Sequence, residues 1–157
     1  MTVDQIALVQ KTWKIFRCMK PVLVGDVFYS KLFLMQPELR KIFPADMNQQ
    51  YKKLIDMMSL IVARLEKFND LTDDIIALGC RHAGYGVKPE HYKFVGKALL
   101  WTLQQGLGND WTKEVEEAWT SCYAHLSEAM IQGTLMGQEK SRTRREAGGL
   151  SDQALTK

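Results

Sequence analysis

The chain has 157 residues, 46% of them hydrophobic and 25% charged, which suits one soluble domain with a single substantial core. Its net charge is +3 with dispersed basic residues, so nucleic acid is not the expected partner. No apolar run approaches the roughly 20 residues of a membrane span and no signal-peptide core opens the chain, so a cytoplasmic location is expected. Cys18, Cys80 and Cys122 are odd in number and lack metal-type spacing, which fits a reducing compartment with buried thiols acting as small hydrophobes.

Almost every segment carries a helical period. Thr2-Val-Asp-Gln5 reads as a capping box opening a helix with Ile6, Val9, Trp13 and Phe16 on one face. Pro21 starts a second helix, with Val24, Phe28 and Leu32 on one side and Tyr29 and Phe33 nearby. Pro37 opens a short element that runs to Phe43, and Pro44 ends it. Asp46-Met-Asn-Gln49 is another capping signal, ahead of the clearest amphipathic pattern in the chain: Tyr51, Leu54, Ile55, Met58, Ile61, Val62, Leu65 and Phe68.

Thr72, with Asp73 and Asp74 behind it, is expected to cap the next helix. That helix ends at His82, before the break Ala83-Gly84-Tyr85-Gly86. Pro89 begins another, with Tyr92, Val95, Leu99, Leu100 and Leu103, and Gly106 and Gly108 stop it. A last helix from about Thr112 carries Val115, Trp119, Cys122, Tyr123, Leu126 and Met130. No alternating pattern competes, so the expected fold is all-α. Residues 1–136 form the expected domain, and 137–157 are polar and expected to be a disordered tail.

His82 is the residue with the most chemistry. Ile75, Leu78 and His82 fall at i, i+3 and i+7, which turns the imidazole toward the buried face. Two readings follow: a plain helical core holding a satisfied histidine, or a metal cofactor gripped from one side. Other residues share the relevant separations. Phe43 lies 39 residues before His82, and Gln50 lies 32 before it and four before Leu54, so that Gln50 and Leu54 share a helix face.

At Phe28-Tyr29-Ser-Lys-Leu-Phe33, Pro37-Glu-Leu-Arg-Lys-Ile-Phe43 and the stretch from His82 to Gly96, the sequence resembles the globins. Within them it is similar to single-domain bacterial globins related to flavohaemoglobins, over roughly residues 3–134. Trp119 and Tyr123 match aromatic positions of the family's last helix. The resemblance implies a globin fold of about seven helices enclosing haem b, with His82 as the iron ligand and Phe43 stacked on the haem edge. It makes Tyr29, Gln50 and Leu54 the residues opposite His82.

Physical chemistry agrees with that assignment. A neutral imidazole that binds iron through one nitrogen needs an acceptor for its other N–H, and the Leu78 carbonyl one turn earlier can serve. Tyr29 and Gln50 can both donate hydrogen bonds to a small ligand, each contributing about 1.5–3 kcal/mol in a dry pocket. The other histidines, His91 and His125, are expected on the surface and off the distal helix, which leaves no second imidazole ligand. Arg81 and Lys88 flank the proximal turn, where they could pair with haem propionates, and Met57 or Met58 could line the pocket.

The resemblance implies binding of O2, NO and CO and, as the preferred role, NO detoxification to nitrate by an NO dioxygenase. Within these residues no reductase module follows, so a separate reductase would have to supply electrons. Oxygen storage or transport and gas sensing with partner binding are the alternatives. The chain departs from the flavohaemoglobin pattern at one place. There a glutamate in the last helix acts with the tyrosine matched by Tyr92 on the proximal histidine, and here that position is Thr134.

Overall fold

The computed structural model describes residues 1–154, with side chains to residue 149. Six α-helices account for most of it: α1 (Val3–Arg17), α2 (Pro21–Met35), α3 (Asn48–Ala63), α4 (Phe68–Gly84), α5 (Tyr92–Leu107) and α6 (Lys113–Ala154). Short 3-10 helices cover Pro37–Ile42, Leu65–Lys67, Pro89–His91 and Gly108–Asp110, and no strand occurs among the described residues. The expected count of about seven corresponds to the six α-helices plus the Pro37–Ile42 turn.

Local chemistry sets most boundaries. Thr2 and Gln5 form the reciprocal capping box, each bond 3.1 Å long, which satisfies two donors that the first turn of α1 would leave orphaned. Pro21 and Pro37 occupy first helical positions, where a missing N–H costs nothing. The Asp46 carboxylate accepts the Asn48 N–H at 3.0 Å just ahead of α3. Thr112 accepts the Val115 N–H at 3.3 Å at the start of α6.

Two expectations are corrected. Thr72 does not cap α4. The helix starts a turn earlier at Phe68, because Leu71 extends the buried stripe backward from Ile75, and the Thr72 hydroxyl donates back to the Phe68 carbonyl at 3.4 Å. The segment after 136, expected to be disordered, is helical as far as Ala154. It holds no proline, and Arg142 pairs with Glu139 at 2.7 Å and Glu146 at 4.0 Å, spacings that support an exposed helix. Gly137 is buried, and the described side chains beyond it are exposed. Residues 155–157 of the expected tail lie outside the described residues.

Packing divides the bundle into two groups. α2 packs on α3 and α5, whereas α4 packs chiefly on α6, and α1 bridges α3 and α6. Polar ties lock the bridge. The Trp119 indole, fully buried, donates to Thr12 at 2.9 Å, and the Trp13 indole donates to Ser59 at 3.0 Å. The α4–α6 crossing depends on glycine: a Cβ at Gly133 would collide with the Ile76 carbonyl oxygen, and one at Gly79 with the Met130 carbonyl. α3 and α4 do not pack extensively against each other.

Candidate functional site

α4 ends by presenting His82. Ile75 is buried, while Leu78 and His82 are half-buried on the same face. The His82 Nδ1 lies 2.8 Å from the Leu78 carbonyl oxygen. A carbonyl only accepts, so Nδ1 carries the hydrogen and Nε2 keeps a free lone pair. Burial pushes the imidazole below its ordinary pKa; the bond to Leu78 opposes this and the charge of Arg81 adds to it. The chain leaves the helix through a tight turn. The His82 carbonyl accepts from the Tyr85 and Val87 N–H groups at 3.0 and 3.1 Å, and Gly86 takes φ 95°.

The second group of residues lies on α2, the Pro37–Ile42 turn and α3. Tyr29 is buried within a ring of aromatics, its centroid 4.9 Å from Phe28, 5.8 Å from Phe33, 5.3 Å from Phe43 and 5.9 Å from Tyr51. Gly25 makes this approach possible, since a Cβ there would lie 2.6 Å from the Tyr51 ring. From α3, the Gln50 amide nitrogen donates to the Tyr29 hydroxyl oxygen at 3.1 Å. The phenol therefore accepts from Gln50 and retains its own hydrogen for another partner. Burial raises the phenol pKa to about 12, partly offset by the bond from Gln50, so it stays a donor throughout the neutral range.

Phe43 is held by a residue that sequence reading passed over. The Arg40 guanidinium donates to the carbonyls of Phe43, Pro44 and Ala45 at 3.2, 2.9 and 3.3 Å, fixing the loop that carries the phenylalanine. Only Pro44, directly after Phe43, hints at a rigid loop. Tyr29 also lines a depression of about 410 Å³ together with Asp26, Arg40 and Asp46.

Tyr92 sits beneath the α4–α6 crossing. Its hydroxyl lies 2.8 Å from that of Thr134, which donates to the Gly79 carbonyl at 3.1 Å. Thr134 has one hydrogen and Gly79 offers only an acceptor, so the chain of donation runs from Tyr92 through Thr134 to Gly79. The Tyr123 hydroxyl donates to the Tyr92 carbonyl. α4, α5 and α6 thus share one buried polar node.

His91 corrects the surface expectation. It is 4% exposed, accepts the Lys88 N–H on Nδ1 at 3.0 Å, and places Nε2 3.2 Å from a Glu38 carboxylate oxygen. Histidine at the third position of a proline-led turn can reach back to cap it, and that local signal could have identified its role. The pair ties the turn before Phe43 to the turn after His82. His125 is exposed as expected, its Nδ1 hydrogen donated to Ser121 at 2.8 Å.

The structure brings Tyr29, Gln50 and Phe43 into one cluster. Leu54 is half-buried one turn past Gln50, and Met57 is half-buried on the same helix. His82 lies on α4 with Arg81, whose side chain is exposed. Met58 belongs to the packed core with Trp13 and Phe16. No group of three or more His, Cys, Asp or Glu side chains able to hold a metal occurs among the described residues, so His82 stands as a lone candidate ligand.

The globin family model matches residues 26–130. A flavohemoprotein of Vibrio cholerae is 28% identical over 145 residues, covering 89% of this chain and 36% of that protein. A neuroglobin of Tetraodon nigroviridis is 28% identical over 123 residues, covering 69% of this chain and 77% of the neuroglobin. The chain therefore spans about a third of the flavohemoprotein's length. Among solved structures, a bacterial globin from Campylobacter jejuni superposes with a TM-score of 0.76 at 21% identity, covering 88% of this chain and 99% of that one. At that identity the likeness establishes the fold.

Proposed function

Because the chain belongs to the globin family, we propose that it binds haem b through His82 and that its role is binding O2, NO and CO and removing NO as nitrate. Globins bind haem. The bound iron supplies reversible gas coordination and one-electron chemistry. The observation that carries the reading is the His82 geometry: Nδ1 tied to Leu78 at 2.8 Å and Nε2 left with its lone pair.

The residues fit the group. Burial favours the neutral form of the His82 imidazole, the form that ligates iron. Phe43, Leu54 and Leu78 are apolar yet only half-buried, as expected of side chains with surface to spare for a flat apolar cofactor. α3 and α4 carry the two halves of the site without packing extensively on each other.

Each residue then has a task. His82 anchors from one side and Leu78 fixes its tautomer and ring orientation. Gln50 donates to the Tyr29 oxygen and thereby orients the phenol, whose own O–H is available to a diatomic ligand. Leu54 and Phe43 exclude water, which strengthens that hydrogen bond. A donor of this kind, worth about 1.5–3 kcal/mol toward developing negative charge, favours slow gas release and argues against oxygen delivery.

The net conversion, NO plus O2 plus one electron to nitrate, needs an electron source, which we assign to a separate reductase. The test is repeated nitrate formation from NO and O2 by the haem-loaded chain supplied with a reductant. Stoichiometric nitrate that never exceeds one per chain would refute catalysis.

Gas sensing is the alternative that one observation favours. α6 continues past Gly137 as an exposed helix, while Gly133 and Gly137 touch the backbone of α4, the helix that carries His82. If that reading holds, CO binding changes the rate at which protease cleaves residues 138–149.

A further inference from the structure

α2 and α5 together present a face that the proposed chemistry does not use. Phe94, Lys97 and Trp101 fall at i, i+3 and i+7 of α5, on one side of the helix. The Lys93 and Lys97 ammonium groups lie 5.0 and 5.9 Å from the Phe94 ring centroid, and Lys31 of α2 lies 4.9 Å from that of Trp101. Both rings are half-buried. One turn along α2 from Lys31, Leu34 is 76% exposed.

Among the described residues, no carboxylate lies within ion-pairing distance of these three lysines. The ion pairs among the described residues involve Lys113 with Glu117, and Arg142 with Glu139 and Glu146. Lys31, Lys93 and Lys97 take part in none of them. Three ammonium groups are instead gathered over aromatic rings, an arrangement that holds long flexible side chains near an apolar surface. The chain as a whole is only +3, so this concentration of positive charge is local rather than a reflection of overall composition.

We infer that the Lys31–Lys93–Lys97 face is a docking surface for an acidic protein, with Leu34, Phe94 and Trp101 as its apolar contacts. Carboxylates on the partner would meet the three lysines, and the rings and Leu34 would supply the desolvated centre that such interfaces need. The face starts at Lys93, next to Tyr92 and the buried node beneath α4. An acidic electron donor for the proposed chemistry would suit this surface. That identification of the partner, unlike the binding itself, rests on the function proposed above.

The probe is a fluorescein-labelled glutamate–tyrosine copolymer, titrated with the haem-loaded full chain at low ionic strength and read by anisotropy. Binding should weaken at least tenfold in the K31Q/K93Q/K97Q variant and fall further with added salt. The R144Q/R145Q variant, which alters the other basic cluster, should bind within twofold of the parent. Far-ultraviolet dichroism and the haem spectrum, unchanged in both variants, would show that the fold is intact.

Absence of binding by the parent would overturn the proposal, as would a triple-lysine variant that binds within twofold of it or an equal loss in the arginine variant. Tighter lysine-dependent binding to phosphatidylglycerol vesicles than to the copolymer would make the face a lipid contact and also overturn it. None of these readings depends on NO chemistry, so this inference and the proposed function can fail separately.

Discussion

The hydroxyls of Tyr92 and Thr134 lie 2.8 Å apart in the interior, and Thr134 passes its own hydrogen to the Gly79 carbonyl. Both residues are buried, so neither hydroxyl can turn to water instead. Thr134→Val keeps the shape but strands the Tyr92 hydroxyl, and should destabilise by about 1–3 kcal/mol. Tyr92→Phe leaves Thr134 bonded to Gly79 and should cost less, about 1 kcal/mol. Urea unfolding of the two variants measures both, and equal losses would count against the donation order.

Tyr29 and Gln50 are unequal partners. The phenol has the free hydrogen, whereas the amide acts on the phenol oxygen. Tyr29→Phe should speed O2 release roughly 10- to 100-fold, the equivalent of one charge-assisted hydrogen bond. Gln50→Leu should speed it less, because the phenol remains. Stopped-flow displacement of O2 by CO gives both rates; a larger effect from Gln50→Leu would reverse the assignment.

Alkaline stability follows from burial. Burial raises Cys122 from 9.0 to about 12, and raises Tyr29 from 10.0 to about 12. In each case the unfolded chain ionises first, so the folded state is fully stabilised below pH 9 and loses stability as the pH climbs toward 12. Cys122 alone accounts for at most about 4 kcal/mol across that window. Urea midpoints between pH 8 and 11 should fall less steeply for Cys122→Ala than for the parent. Parallel slopes would contradict the burial argument.

At Gly133 α6 leaves no room for a side chain against the α4 backbone. Gly133→Ala forces a methyl group against the Ile76 carbonyl, and overpacking of this kind should cost about 1–3 kcal/mol. It should also displace the helix that carries His82, so haem transfer to excess apomyoglobin should accelerate. Gly148→Ala, where a methyl meets nothing within 4 Å, serves as the control and should leave haem transfer unchanged.

Much of this was legible in the chain because helical periodicity and capping chemistry are local. The Thr2–Gln5 box, the Pro21 and Pro37 starts and the inward side of α4 all appear where the residues require them. Leu78 accepts from His82 because four residues separate them on one helix. Long-range pairings were harder to see. Glu38 and His91 are 53 residues apart, and only the folded chain shows that a turn-capping histidine also reaches across to a carboxylate. The helical course of residues 138–146 was missed because polar composition says little about backbone when short-range ion pairs are enough to sustain a helix. No local pattern marks Arg40, whose three carbonyl partners depend on the shape of the loop after it.

Optical titration of the haem-free chain with haemin, alongside His82→Ala, His91→Ala and His125→Ala, tests the assignment of the ligand most directly. The parent, His91→Ala and His125→Ala chains should each take up one haem with a sharp Soret band and bind CO when reduced, whereas His82→Ala should give only a weak, broad spectrum that excess apomyoglobin strips. A His82→Ala chain with the parent's spectrum and haem retention, or a parent that takes up no haem, would show that the imidazole at position 82 does not hold iron.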